Sequence, residues 1–205
     1  MPTLTRRNAL LSTLSLLACG QAMASGDSYI FEHHGWHVDA SRDSHQPRDA
    51  VVTAIAGQLD RVEGLGFAQD ILGFMRTIPI WTNPSRRESA PAHYDRAKGV
   101  EVRVSDLDPK KPIVLHELLH AFQDQKLANE QTNIERFFQQ SRSSGTWPAD
   151  AQMVADAREF FAVTSTVYLF GSIDIPPFTQ GRLHEAQPEY WTWLGVLFDG
   201  FRGCE

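Results

Sequence analysis

The chain has 205 residues, of which 42% are hydrophobic and 21% charged, with a formal net charge of −6. That composition suits one soluble globular domain with a core large enough to stand without staples. The acidic balance gives no electrostatic case for nucleic acid or an anionic membrane as partner.

The chain opens with "MPTLTRRNALLSTLSLLACGQAMASG". Arg6 and Arg7 precede an apolar run from Ala9 to Ala18, and the small residues Ala22 and Ala24 follow. This is the layout of a secretory signal over residues 1–24, too short in its apolar part to remain as a membrane span. The adjacent arginines resemble a twin-arginine signal, although ordinary Sec signals also carry arginines. "LLAC", ending at Cys19, would offer lipid anchoring instead, but cleavage after Ala24 is preferred. That cleavage removes Cys19 and leaves Cys204 alone, so no internal disulfide is expected in a periplasmic or secreted product.

The mature domain, residues 25–205, begins with "SYIFEHHGWHVDAS", read as a strand with a turn at Gly35. His33, His34 and His37 cluster there, but strand alternation separates them and they read as surface histidines. From Pro47 the residues Val51, Val52, Ile55, Leu59 and Val62 recur at helical spacing, ending at Gly64. "AQDILGFM" is a short helix or turn. "TIPIWT" is a short strand whose Pro79 suggests a sheet edge. Residues 83–98 are polar and rich in breakers, so a loop. "GVEVRVS" alternates cleanly and reads as a strand. Helices are expected from Pro112 to about Ala128, over "TNIERFFQQSRS", over "DAQMVADAREFFAVTSTVYLF" and over "PEYWTWLGVLF". Strands first and helices afterwards indicate an α+β fold: a small antiparallel or mixed sheet, then the helices.

The chemistry concentrates in "PIVLHELLHAFQDQ". On a helix, His116 and His120 share a face about 5–6 Å apart at Cβ, so both imidazoles can aim at one ion. Glu117 is turned by about 100° and flanks that ion, where it can serve as general base on a water molecule. A catalytic zinc usually takes three protein ligands. Leu127 stands where a third histidine would follow in the extended motif. Glu159, an isolated carboxylate among Phe160, Phe161 and Ala162, is the best remaining donor, because burying it is expensive unless it is paired or bound. Glu135 is the runner-up. Asp124, one turn beyond His120, either locks a histidine tautomer from behind or only solvates the helix end.

With "HELLH" followed about forty residues later by "EFFA", the chain resembles the anthrax lethal factor-like zinc metallopeptidases, within the glutamate-zincins. "GWHV", "IPIW", "AHYDRAKGVEV", "VLHELLHAFQDQ", "REFFA" and "YLFGSIDIPPF" extend the resemblance over most of the mature chain. It implies a zincin-like single domain with Zn2+ held by His116, His120 and Glu159, Glu117 as base, and a peptide or protein substrate. It also implies that "GVEVRVS" is the edge strand along which that substrate lies. Two departures stand out. Gln152 occupies the position of the family's oxyanion-stabilising tyrosine, and Val163 replaces the second acid of its "EFFAE". The oxyanion contact must then come from Tyr94, which similar proteins also carry, from Tyr168 or from another donor, with Tyr94 favoured. The alternative is a catalytically weak or inactive zincin-like module that only binds a peptide or protein.

Overall fold

The computed structural model describes residues 29–43, 46–85 and 90–199. The expected signal segment, Cys19 and Cys204 lie outside them. Among the described residues, one five-stranded mixed sheet and seven α-helices form a single α+β unit.

β1 (Ile30–His33) and β2 (Trp36–Asp39) form an antiparallel hairpin closed by His34 and Gly35. Both turn residues have positive φ, 50° and 81°, as a two-residue turn matching the strand twist requires. α1 (Arg48–Glu63) follows, burying Val51, Ile55, Leu59 and Val62 along one stripe. Then come α2 (Gln69–Arg76) and β3 (Ile80–Thr82). β3 runs parallel to β2, so α1 and α2 form the crossover between them.

β4 (Ala92–Asp95) and β5 (Gly99–Val102) complete the sheet in the order β1-β2-β3-β5-β4. Here the structure corrects three expectations. "GVEVRVS" is not the edge: β5 lies between β3, to which it is parallel, and β4, to which it is antiparallel. The edge on that side is β4, a strand inside the stretch expected to be loop. Pro79 likewise does not mark an edge, because β3 is the central strand. Pro79 precedes β3, where a missing N–H breaks no ladder, and its carbonyl accepts a bond from the Val100 N–H at 2.8 Å. Gly99 (φ 88°) permits this approach, since a Cβ there would lie 2.1 Å from the Pro79 oxygen.

α3 (Ile113–Lys126) crosses the centre of the molecule, against β4, β5, α1, α2 and α5. Its Val114, Leu115, Leu118, Leu119, Ala121 and Phe122 are all buried, as expected of a helix apolar on most sides. The buried Gln58 of α1 fixes where α3 starts. Its amide donates to the carbonyls of Asp108 and Lys111 and accepts from the Val114 N–H.

α4 (Gln131–Ser144) ends at Gly145 in the left-handed conformation, an ordinary glycine stop. α5 (Ala157–Phe170) is shorter than the sequence suggested. Asp156 caps it and a 3-10 turn at Gln152–Val154 precedes it, so residues 150–156 are not α-helix. α6 (Gln180–Ala186), which the periodicity did not announce, and α7 (Pro188–Asp199) close the chain over α5. No described helix is long and apolar enough to cross a membrane.

Candidate metal centre

α3 and α5 bring three side chains to one point. His116 and His120, one turn apart, place their Nε2 atoms 3.1 Å from each other. The Glu159 carboxylate reaches both from the first turn of α5, with Oε2 3.4 Å from His116 Nε2 and Oε1 3.4 Å from His120 Nε2. An ion held tetrahedrally at about 2.0–2.2 Å from each donor keeps those donors roughly 3.3–3.6 Å apart. The 3.1 Å between the imidazoles and the 3.4 Å from each to one carboxylate oxygen are therefore close to the spacing a tetrahedral ion needs. Two imidazoles and one carboxylate are also the donor types zinc prefers.

Local structure explains why Glu159 is available. Asp156 Oδ1 accepts the backbone N–H groups of Arg158 and Glu159, fixing the first turn of α5. Gln152, from the preceding 3-10 turn, donates its amide to Glu159 Oε2 at 2.7 Å. Burial alone would raise the Glu159 carboxyl, but hydrogen bonds and charge from His116 and His120 outweigh it. The group is held well below the usual carboxylate range and is an anion at neutral pH.

Glu117 points from α3 toward the sheet edge. Its Oε2 accepts the backbone N–H of Tyr94 at 2.7 Å. Arg103 N–H donates to the Pro91 carbonyl, which puts Pro91 in hydrogen-bonded register with β5 and turns the polar backbone groups of Tyr94 outward. The edge strand thus offers Glu117 an amide that the ladder does not use. Glu117 and His116 line a cavity of about 540 Å³, walled by Pro91, Ile113, Phe170 and Ile173 and crossed at its rim by the Lys111–Asp174 ion pair.

No protein-family model, curated protein or solved structure matches this chain.

The structure brings His116, Glu117, His120 and Glu159 together and leaves other expected participants elsewhere. The Tyr94 hydroxyl does not face the cavity. It donates to Asp124 Oδ2 at 2.9 Å and accepts from Gln125 Nε2 at 2.8 Å. Asp124 lies two turns beyond Glu117, about 10 Å along the helix, so Tyr94 meets Glu117 through its backbone and not its phenol. Asp124 does not lock a histidine tautomer either. Its carboxylate takes Tyr94 and Arg96, while His120 Nδ1 is buried with no hydrogen-bond partner. Glu135 sits on α4 accepting from Gln139, away from the trio. Tyr168 stacks on Phe198 and meets Trp191 edge to face, on the α7 side of α5.

Two residues of the site escaped sequence reading. In the sequence Gln152 stands out only for the tyrosine it replaces, yet it donates its amide to Glu159. Asp156 with Glu159 spells the D-x-x-E signature of a helix start, which the apolar run of Met153 and Val154 obscured.

Proposed function

We propose that this chain is an exported zinc metallopeptidase of the type its motifs resemble, hydrolysing peptide bonds in a peptide or protein substrate. The observation that carries the reading is the convergence of His116 and His120, with Nε2 atoms 3.1 Å apart, on the two oxygens of Glu159, each 3.4 Å from one imidazole, with Glu117 next to His116 on the wall of the cavity. His116 and His120 would hold zinc through Nε2, and Glu159 through its carboxylate. When bound, the metal supplies Lewis acidity, polarising a carbonyl and lowering the pKa of a water.

The chain's own residues do the rest. Glu117 takes a proton from the attacking water as its oxygen adds to the scissile carbonyl carbon, and holds that proton on a carboxylate oxygen. It then delivers the proton to the amide nitrogen as the C–N bond breaks, leaving a carboxylic acid and an amine, and the acid's remaining proton passes to the amine. The Tyr94 N–H keeps the Glu117 carboxylate from rotating away. Gln152 orients Glu159 in the same manner. The apolar walls of the cleft suit a hydrophobic substrate side chain.

The test combines metal analysis with cleavage of a peptide library by wild type and Glu117→Gln. One zinc per chain at this centre in both proteins, with turnover lost only in the variant, is expected. Equal cleavage by pure Glu117→Gln would sink the mechanism.

A second reading, a zincin-like module that binds peptides without cutting them, is favoured by one observation. With the Tyr94 hydroxyl engaged by Asp124 and Gln125, and Gln152 in the tyrosine position, no phenol faces the cavity among its lining residues. Metal binding and peptide binding without any hydrolysis would select it.

A further inference from the structure

The β1–β2 hairpin carries a cluster that the catalytic reading does not use. His33 Nε2 lies 2.6 Å from Asp60 Oδ1, and His34 Nε2 lies 3.4 Å from the same oxygen. The two rings sit 4.3 Å apart, inclined at 63°. One donor atom from each of the three residues falls within 4.8 Å of the others.

Consecutive strand residues point to opposite faces, so His33 and His34 should diverge. They converge because the chain turns between them. His33 pairs with Trp36 and shares its α1-facing side. His34 occupies the first turn position at φ 50°, which swings its ring back toward α1. Asp60 rises from α1 to meet both. His37, paired with Glu32 on the other face, bonds that residue instead and stays out of the cluster.

The hairpin is clamped where this happens. Trp36, fully buried, donates its indole N–H to Glu63, and Arg76 grips the same carboxylate with two bonds of 3.1 and 2.6 Å. Glu63 is one turn after Asp60 on α1. The side chains of His34 and Asp60 are each more than half exposed, so an ion can reach them from solvent.

We propose that His33, His34 and Asp60 form a second metal site, taking a divalent transition ion of the zinc or copper type. A simple ion pair needs one imidazole. Two imidazoles aimed at one carboxylate oxygen make a donor set of two histidines and one aspartate, the combination such ions favour over calcium or magnesium. Opening the short His33–Asp60 contact by less than about 1 Å brings that pair to the spacing of tetrahedral donors. The site ties the hairpin to α1 and is independent of the α3–α5 centre.

The experiment is equilibrium dialysis of the tag-free full chain against buffered Zn2+, with bound metal counted per chain. His34→Asn and Asp60→Asn are the variants: asparagine tolerates the left-handed backbone at position 34, and it is isosteric at position 60. Each is expected to lose one ion per chain, or to bind it at least tenfold more weakly. His37→Gln is expected to lose none. His116→Ala/His120→Ala is expected to keep the ion that His34→Asn removes, so failure of the catalytic centre reads differently from failure of this one. Identical Zn2+ binding by wild type, His34→Asn and Asp60→Asn overturns the proposal.

Discussion

The backbone N–H of Tyr94 donates to Glu117 while the phenol of the same residue donates to Asp124, so one residue of β4 spans two turns of α3. The two bonds separate what Tyr94 does by position from what it does by chemistry. Tyr94→Phe keeps the backbone bond and deletes only the phenol. Losing an oxyanion donor costs about 100- to 1000-fold in kcat. With the hydroxyl facing Asp124 and Gln125, the expected fall is less than about tenfold, accompanied by about 1–2 kcal/mol of lost stability. Steady-state kinetics and urea unfolding of this variant measure the two effects separately.

Gln152→Ala removes the amide that holds Glu159 Oε2. Removing a partner behind a ligand typically weakens metal binding by about 10- to 100-fold. Competition against a chelator should return a loss in that range, with kcat at saturating metal changed far less. An unaltered affinity would show that the Asp156-capped turn of α5 orients Glu159 unaided.

These partners were the least legible parts of the site in the sequence. His116, Glu117 and His120 are visible because helical spacing alone puts them on adjacent faces, and Glu159 because a carboxylate among phenylalanines needs a reason. Tyr94 acts through a contact between segments that periodicity does not connect, and Gln152 through a 3-10 turn standing where a continuous helix was expected. The sheet order was hidden for a related reason. The alternation of Val100 and Val102 shows a strand but not its neighbours, and β3, its parallel partner, comes from far upstream. β4 went unread because four residues with His93 and Asp95 facing outward carry little apolar signal. The convergence of His33 and His34 depends on a positive φ at a non-glycine residue, which no local pattern announces.

Alkaline pH is expected to loosen the fold through two phenols. Burial pushes Tyr94 up, with bonds to Gln125 and Asp124 partly opposing one another, and burial pushes Tyr190 well above the ordinary tyrosine range despite its bond to Thr164. Both folded values lie above the unfolded value of about 10, so the folded state keeps these protons longer. The stability they contribute is complete below pH of about 10 and is lost as pH rises through the folded values. Urea midpoints measured from pH of about 8 to about 11.5 should hold steady and then drop. Tyr190→Phe should start lower, because the buried hydroxyl bond to Thr164 is lost, and decline less steeply.

Gly99→Ala tests whether the crossing of β5 beside Pro79 is what seats α3. A Cβ at position 99 would stand 2.1 Å from the Pro79 oxygen, and the backbone there has φ 88°. Neither obstacle can be relieved by a side-chain rotation, since the atom met is backbone. Strain at a positive φ and overpacking each cost about 1–3 kcal/mol, giving a combined loss of about 2–6 kcal/mol. The damage should also reach the site. β5 holds β4 in register, and β4 supplies the Tyr94 N–H to Glu117. In the fraction that still folds, turnover is expected to fall while metal content holds, because the ligands come from α3 and α5 alone. Loss of metal in parallel with turnover would show that the sheet also seats the ligand helices.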